Sequence, residues 1–156
     1  MNKKIIIKIA GLVLALTGNF LLASPALSQT PPPLDLLNTF MTAISQPDAT
    51  ASAQAIVPLL HASLKSPDGT TLSKDVQQFS FQKAHKDAPF YKNPVEIVRE
   101  NKFDQKSINL GKAPEAGTLI DYYLARKDPT TGMPAPVRVF FPADGGKPVI
   151  TYIGSL

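Results

Sequence analysis

Few side chains in this chain can move a proton near neutral pH. There are two histidines, His61 and His85, and one run that sets a carboxylate beside phenols, Asp121-Tyr122-Tyr123. A carboxylate next to an imidazole supports general acid-base chemistry, because the ring titrates in the working range and the carboxylate orients it. Asp121, His85 and Tyr122 are therefore the candidates for proton transfer, with His61 and Tyr123 beside them. On a strand, however, Asp121 and Tyr122 point to opposite faces, so one site cannot receive both. His85 stands between Lys83 and Lys86, the setting of a solvated side chain. Neither histidine has a carboxylate three or four residues on, and the two are far apart, so metal-ligand spacing is absent.

The chain has no cysteine, which removes disulfides, thiolate metal sites and a cysteine nucleophile. It has no Gly-x-Ser-x-Gly turn and no glycine-rich phosphate loop; Gly145-Gly146 is accounted for by a hairpin turn. No cofactor and no metal are expected, and no committed catalytic residue.

The N-terminus carries an address. Lys3, Lys4 and Lys8 precede an apolar run from Ile9 to Ala23 that closes on Ala26-Leu27-Ser28, small residues at the positions a signal peptidase accepts. An uncleaved anchor helix is the alternative, but the run is interrupted by Thr17, Gly18 and Asn19 and is shorter than the roughly twenty residues of a span. The expectation is a signal peptide over residues 1–28, cut after Ser28, and a secreted or periplasmic protein. Membrane contact is then only through the transient leader. No cysteine follows it to carry a lipid. Of 16 basic residues three leave with the leader, so 13 face 12 acidic ones and the net charge falls to +1. A domain so near neutrality, with scattered lysines, lacks the basic stripe of a nucleic-acid binder.

Residues 29–33 read as a stiff proline-rich lead-in, and residues 34–156 as a single domain. Leu34, Leu37, Met41 and Ile44 fall at helical spacing with Phe40 beside them, predicting a helix from Leu34 to Ser45. A second helix starts near Ala49 and must kink or restart at Pro58. A third begins after Ser73 and runs toward Asp87. A short strand over Phe79-Ser80-Phe81-Gln82 is the alternative there, and only the helix puts Phe81 and His85 on one face. After Pro89 the pattern turns to strands: Val95 to Arg99, Ser107 to Leu110, Thr118 to Lys127, Val137 to Phe141 and Val149 to Ile153. Short turns between them require antiparallel pairing, and helices followed by strands predict an α+β fold.

Three helices and then a meander of four to five strands, ending in Val137-Arg138-Val139-Phe140-Phe141 and Val149-Ile150-Thr151-Tyr152-Ile153, resembles the nuclear transport factor 2-like superfamily, which includes SnoaL-like proteins. The resemblance is one of element order over nearly the whole mature chain. It implies a curved antiparallel sheet wrapped around helices in a cone, with a pocket that members use for catalysis, for ligand binding or for pairing with another copy. In hydrolytic and isomerising members an Asp with a His or Tyr stands inside the cone, which here would draw on Asp121, His85 and Tyr122.

Strand parity divides the sheet. Val95, Ile97, Ile120, Tyr122, Leu124, Val137, Val139, Phe141, Val149 and Ile153 form a hydrocarbon face for the helices. Glu96, Val98, Glu100, Leu119, Asp121, Tyr123, Arg138, Phe140, Ile150 and Tyr152 form the other, and a bulge would exchange the two sets beyond it. This second face is either a solvated sheet or a contact surface, in which Tyr123, Phe140 and Tyr152 bury area while Glu96, Asp121 and Arg138 set the register. The reading that follows is a noncatalytic binding domain that pairs with itself through this face, with a small apolar ligand inside. A small-molecule isomerase or hydrolase is the alternative.

Overall fold

The computed structural model describes residues 32–103, 108–111 and 113–156. The expected leader, and the lead-in through Pro31, lie outside the described residues. The first helix follows its stripe: α1 (Leu34–Ile44) buries Leu37, Phe40, Met41 and Ile44 fully, while Leu34, in its first turn, stays half-exposed. Each large side chain so buried contributes roughly 1.5–3 kcal/mol. The Asp48 carboxylate caps α2 (Ala49–Ile56) by accepting from the Ala51 N–H at 2.6 Å. Pro58 has no N–H to continue the ladder, and the chain tightens into a 3-10 turn over Val57–Leu59.

The third helix opens on Ser73, whose hydroxyl accepts from the Val76 N–H at 3.4 Å. It runs as a π segment over Val76–Phe81 and then as α3 (Gln82–Asp87). A strand over Phe79–Gln82 does not form. As a strand it would put Phe79 and Phe81 on one face; the helix turns them apart, leaving Phe81 fully buried and Phe79 69 % exposed.

Four strands make the sheet: β1 (Ile97–Phe103), β4 (Gly117–Leu124), β5 (Ala135–Pro142) and β6 (Val149–Tyr152), antiparallel in the order β1-β4-β5-β6. The fold is α+β. The expected strand near Ser107–Leu110 does not join this sheet; β2 (Ile108–Asn109) pairs only with β3 (Pro114–Glu115). The strand expected to reach Lys127 stops at Leu124, after which Arg126 bridges back to Tyr91. In the β5–β6 connection Gly145 takes φ 82°, which an L side chain resists, and the Gly146 N–H is held by the Asp144 carboxylate at 2.9 Å.

Strand parity holds through β4 and β5, where Ile120, Tyr122, Leu124, Val137 and Val139 share one core with α1 and α2. It fails on the outer strands because both are bulged. Ile97 pairs with Leu124 but Arg99 with Tyr123, so Val98 is an extra residue and Glu100 stands opposite Tyr122. Arg138 pairs with Tyr152 but Val139 with Ile150, so Thr151 is extra. Ile150 therefore lies in the main core, Val149 lies against Phe140 on the second face, and Glu100 leaves that face. These are corrections to the unbroken alternation, and the bulges are their cause.

Candidate functional site

The second face of the sheet is graded along the strands. At one end Leu119 and Phe140, paired across β4 and β5, are 7 % and 1 % exposed and pack with Phe103, Leu110 and Val149. Phe140, expected on a contact surface, is thus part of a small second core closed by the chain itself. Gly117 allows this packing, since a Cβ there would overlap the Phe140 ring and the Phe141 carbonyl.

Two residues further along each strand, on the same face, Asp121 opposes Arg138. The guanidinium donates twice, Nε to Oδ1 at 2.7 Å and a terminal nitrogen to Oδ2 at 3.0 Å, and lies over the Phe103 ring at 4.6 Å. The bonds to Asp121 raise the Arg138 pKa above its ordinary value despite partial burial. Asp121 is 4 % exposed and so occupied within the chain rather than set at a rim. Glu96 pairs with Lys92 at 2.6 Å.

The far end of the face is open. The Arg99 guanidinium stands 3.8 Å over the half-buried Tyr123 ring, and Val98, Met133 and Tyr152 are exposed at 50 %, 84 % and 39 %. Val98, Arg99, Tyr123, Met133 and Pro134 line a shallow hollow of about 190 Å³.

His61 and His85 each have defined partners. His85 stacks on Phe81 at 5.4 Å, as the helical reading requires, and its Nδ1 lies 2.8 Å from the Ile44 carbonyl. A carbonyl only accepts, so Nδ1 carries the proton. The same oxygen accepts from the buried Ser52 hydroxyl at 3.2 Å, which satisfies the end of α1. His85 is a packing residue there, not a free solvated side chain.

His61 is more suggestive. The Ser63 N–H donates to its Nδ1 at 3.1 Å, so Nδ1 bears the lone pair and Nε2 the hydrogen. Nε2–H meets the Glu115 carboxylate at 3.0 and 3.3 Å, and the Ser63 Oγ lies 2.9 Å from Nδ1. The ring is edge-on to Phe140 at 6.0 Å, and the His61 N–H holds the Ile150 carbonyl at 2.7 Å. His61, Ser63, Lys65, Asp68, Leu110 and Glu115 are among the residues around a cleft of about 490 Å³. Sequence reasoning named His61 but neither Ser63 nor Glu115. Ser63 is visible as a neighbour two residues on, whereas Glu115, 54 residues away, has no local signal.

The alternative catalytic set does not assemble. Tyr122 is fully buried in the main core, where burial and then the charge of Glu100 raise its pKa, and its hydroxyl finds no partner. Asp121 lies on the opposite face, bound to Arg138. Another cleft, about 640 Å³, runs between α2 and the π segment and is lined by Ala53, Val57 and Leu72 as well as by amides, hydroxyls and Lys74, without histidine or carboxylate. Among the described residues no group of three or more His, Asp or Glu could hold a metal, and no helix is long and apolar enough to cross a membrane. No protein-family model, no curated protein and no solved structure matches the chain.

Proposed function

We propose that this protein is an exported binding domain of the cone type, similar to the nuclear transport factor 2-like superfamily, and that it pairs with a second copy of itself through the open end of its second sheet face. Helices followed by an antiparallel sheet whose neighbours follow chain order support the fold comparison. The observation that carries the pairing is the exposure of Val98 and Met133 around the Arg99–Tyr123 stack and of Tyr152 beside Arg138, an apolar surface with a polar border. A two-fold axis through this patch would cover all three side chains in both copies. Pairing by β1 edges is disfavoured, because Arg99, Glu100 and Lys102 charge that strand.

Relative to the expectation from sequence, Phe140 and Asp121 leave the contact surface, Glu96 is paired with Lys92, Tyr123, Arg138 and Tyr152 stay, and Val98 and Met133 join. Sedimentation of the wild type against Val98→Asp tests the pairing. Export is tested by intact mass: the protein recovered from the envelope or medium should begin at Gln29, and a chain still starting at Met1 there would refute the leader.

One observation favours a second reading, a small-molecule hydrolase: the contact of Ser63, His61 and Glu115 at the edge of an open cleft.

A further inference from the structure

We propose that Ser63 is an acyl-accepting nucleophile, with His61 as its base and Glu115 as the residue that positions the base, and that the cleft beside them takes a small carboxylic ester. The proposal rests on the hydrolase reading and gives it residues, a direction of proton flow and a substrate class.

A serine hydroxyl becomes a nucleophile when a base accepts its proton as the bond forms, and the base works best when a third group fixes its tautomer. Both conditions are met by atoms in contact. The Ser63 Oγ is 2.9 Å from His61 Nδ1, and the Ser63 N–H on that nitrogen requires it to be the unprotonated one. The opposite nitrogen therefore carries hydrogen and directs it at Glu115, 3.0 Å away. A carboxylate so placed stabilises the imidazolium that forms when Nδ1 takes the proton.

The ring is also held still. Its side chain is only 11 % exposed, it packs against Phe140, and its backbone is tied to β6 through the Ile150 carbonyl. A base locked by packing and by a second hydrogen bond is the arrangement that catalysis needs. Gly111 faces the nucleophile, where even an added Cβ would stand 3.6 Å from the Ser63 Cβ.

The chemistry closes with water as the only co-reactant. The Ser63 Oγ attacks the ester carbon as its proton passes to His61 Nδ1. The tetrahedral intermediate then expels the alcohol, which leaves with that proton. Water attacks the acyl-serine, again giving a proton to Nδ1, and collapse returns the proton to the Ser63 Oγ and releases the acid. Lys65 is the cation among the cleft's lining residues and the group available to the developing oxyanion. Leu110 and Pro67 supply apolar surface for a short acyl or alcohol group.

The test combines a fluorophosphonate probe, which forms an Oγ–P bond and expels fluoride, with p-nitrophenyl acetate turnover on the purified protein. One adduct per chain, mapped to Ser63 and absent from Ser63→Ala, is the expected result. His61→Gln should slow labelling by about 100-fold or more. Glu115→Gln should lower kcat about tenfold or more with little change in KM, and Glu115→Asp should restore part of it, responses that a loop brace would not give. Circular dichroism checks each fold, and if His61→Gln unfolds, the Glu115 pair of variants decides. Turnover that survives Ser63→Ala would keep the hydrolase reading and overturn this assignment, as would an adduct on Ser66 alone. Folded wild type with neither adduct nor turnover would overturn both.

Discussion

The Tyr122 hydroxyl is buried without a partner in a core of hydrocarbon, so it bears a desolvation cost with no hydrogen bond to offset it. Tyr122→Phe should therefore leave stability unchanged or raise it by about 1 kcal/mol, read from denaturant midpoints; a clear loss would mean that the hydroxyl is satisfied. Asp121 gives the opposite case, since Asp121→Ala strands the Arg138 guanidinium, which is one-third exposed. The full effect of breaking a buried pair is about 3–5 kcal/mol. Water reaching Arg138 reduces that, and a loss of about 2 kcal/mol is expected. The Asp68 carboxyl is held below its ordinary value of 3.8 by the hydroxyls of Ser66 and Thr70 and by the Thr70 N–H. A lowered folded pKa stabilises the fold above the unfolded value and ceases to do so as pH falls through the folded one. The Ser66–Thr71 loop beside the cleft should thus lose protection from amide exchange only below about pH 3.8, and Asp68→Asn should show that loss at neutral pH.

At the scale of elements, the two bulges decide which side chains meet. Phe140→Asp would put a carboxylate into the second core, and an unfolding free energy lower by several kcal/mol is expected; little change would mean that this end of the face is open. The stripe on α1, the break at Pro58 and the alternation along β4 and β5 were legible because each follows from a local rule: helical spacing, a missing N–H, period two. Helical spacing likewise foretold the meeting of Phe81 and His85. The extra residues Val98 and Thr151 carry no local mark, being neither glycine nor proline, and they are set by how each strand fits its neighbour. That is why Ile150 and Val149 were exchanged. The His61–Glu115 contact was hidden for a related reason: it joins the residue that caps the 3-10 turn Ala62–Leu64 to β3, and pairing at such separation is a property of the tertiary fold.

For the whole molecule, helices followed by an antiparallel sheet were readable from order alone, and the described residues from Pro32 to Leu156 form one unit. Six large apolar side chains stay exposed among the described residues, Leu34, Phe79, Phe90, Val98, Met133 and Tyr152, and the last three mark the surface at the part of the sheet that Phe103, Leu110 and Val149 do not reach. The central claim is that a second copy covers it. Sedimentation equilibrium at high micromolar concentration, with the wild type beside Val98→Asp, tests this most directly. The expected result is a wild type at twice the monomer mass and a variant whose association is weaker by at least about tenfold, or 1.4 kcal/mol, while its circular dichroism spectrum stays that of the folded protein. A wild type that stays monomeric at that concentration, or a folded Val98→Asp that pairs as tightly, would contradict it.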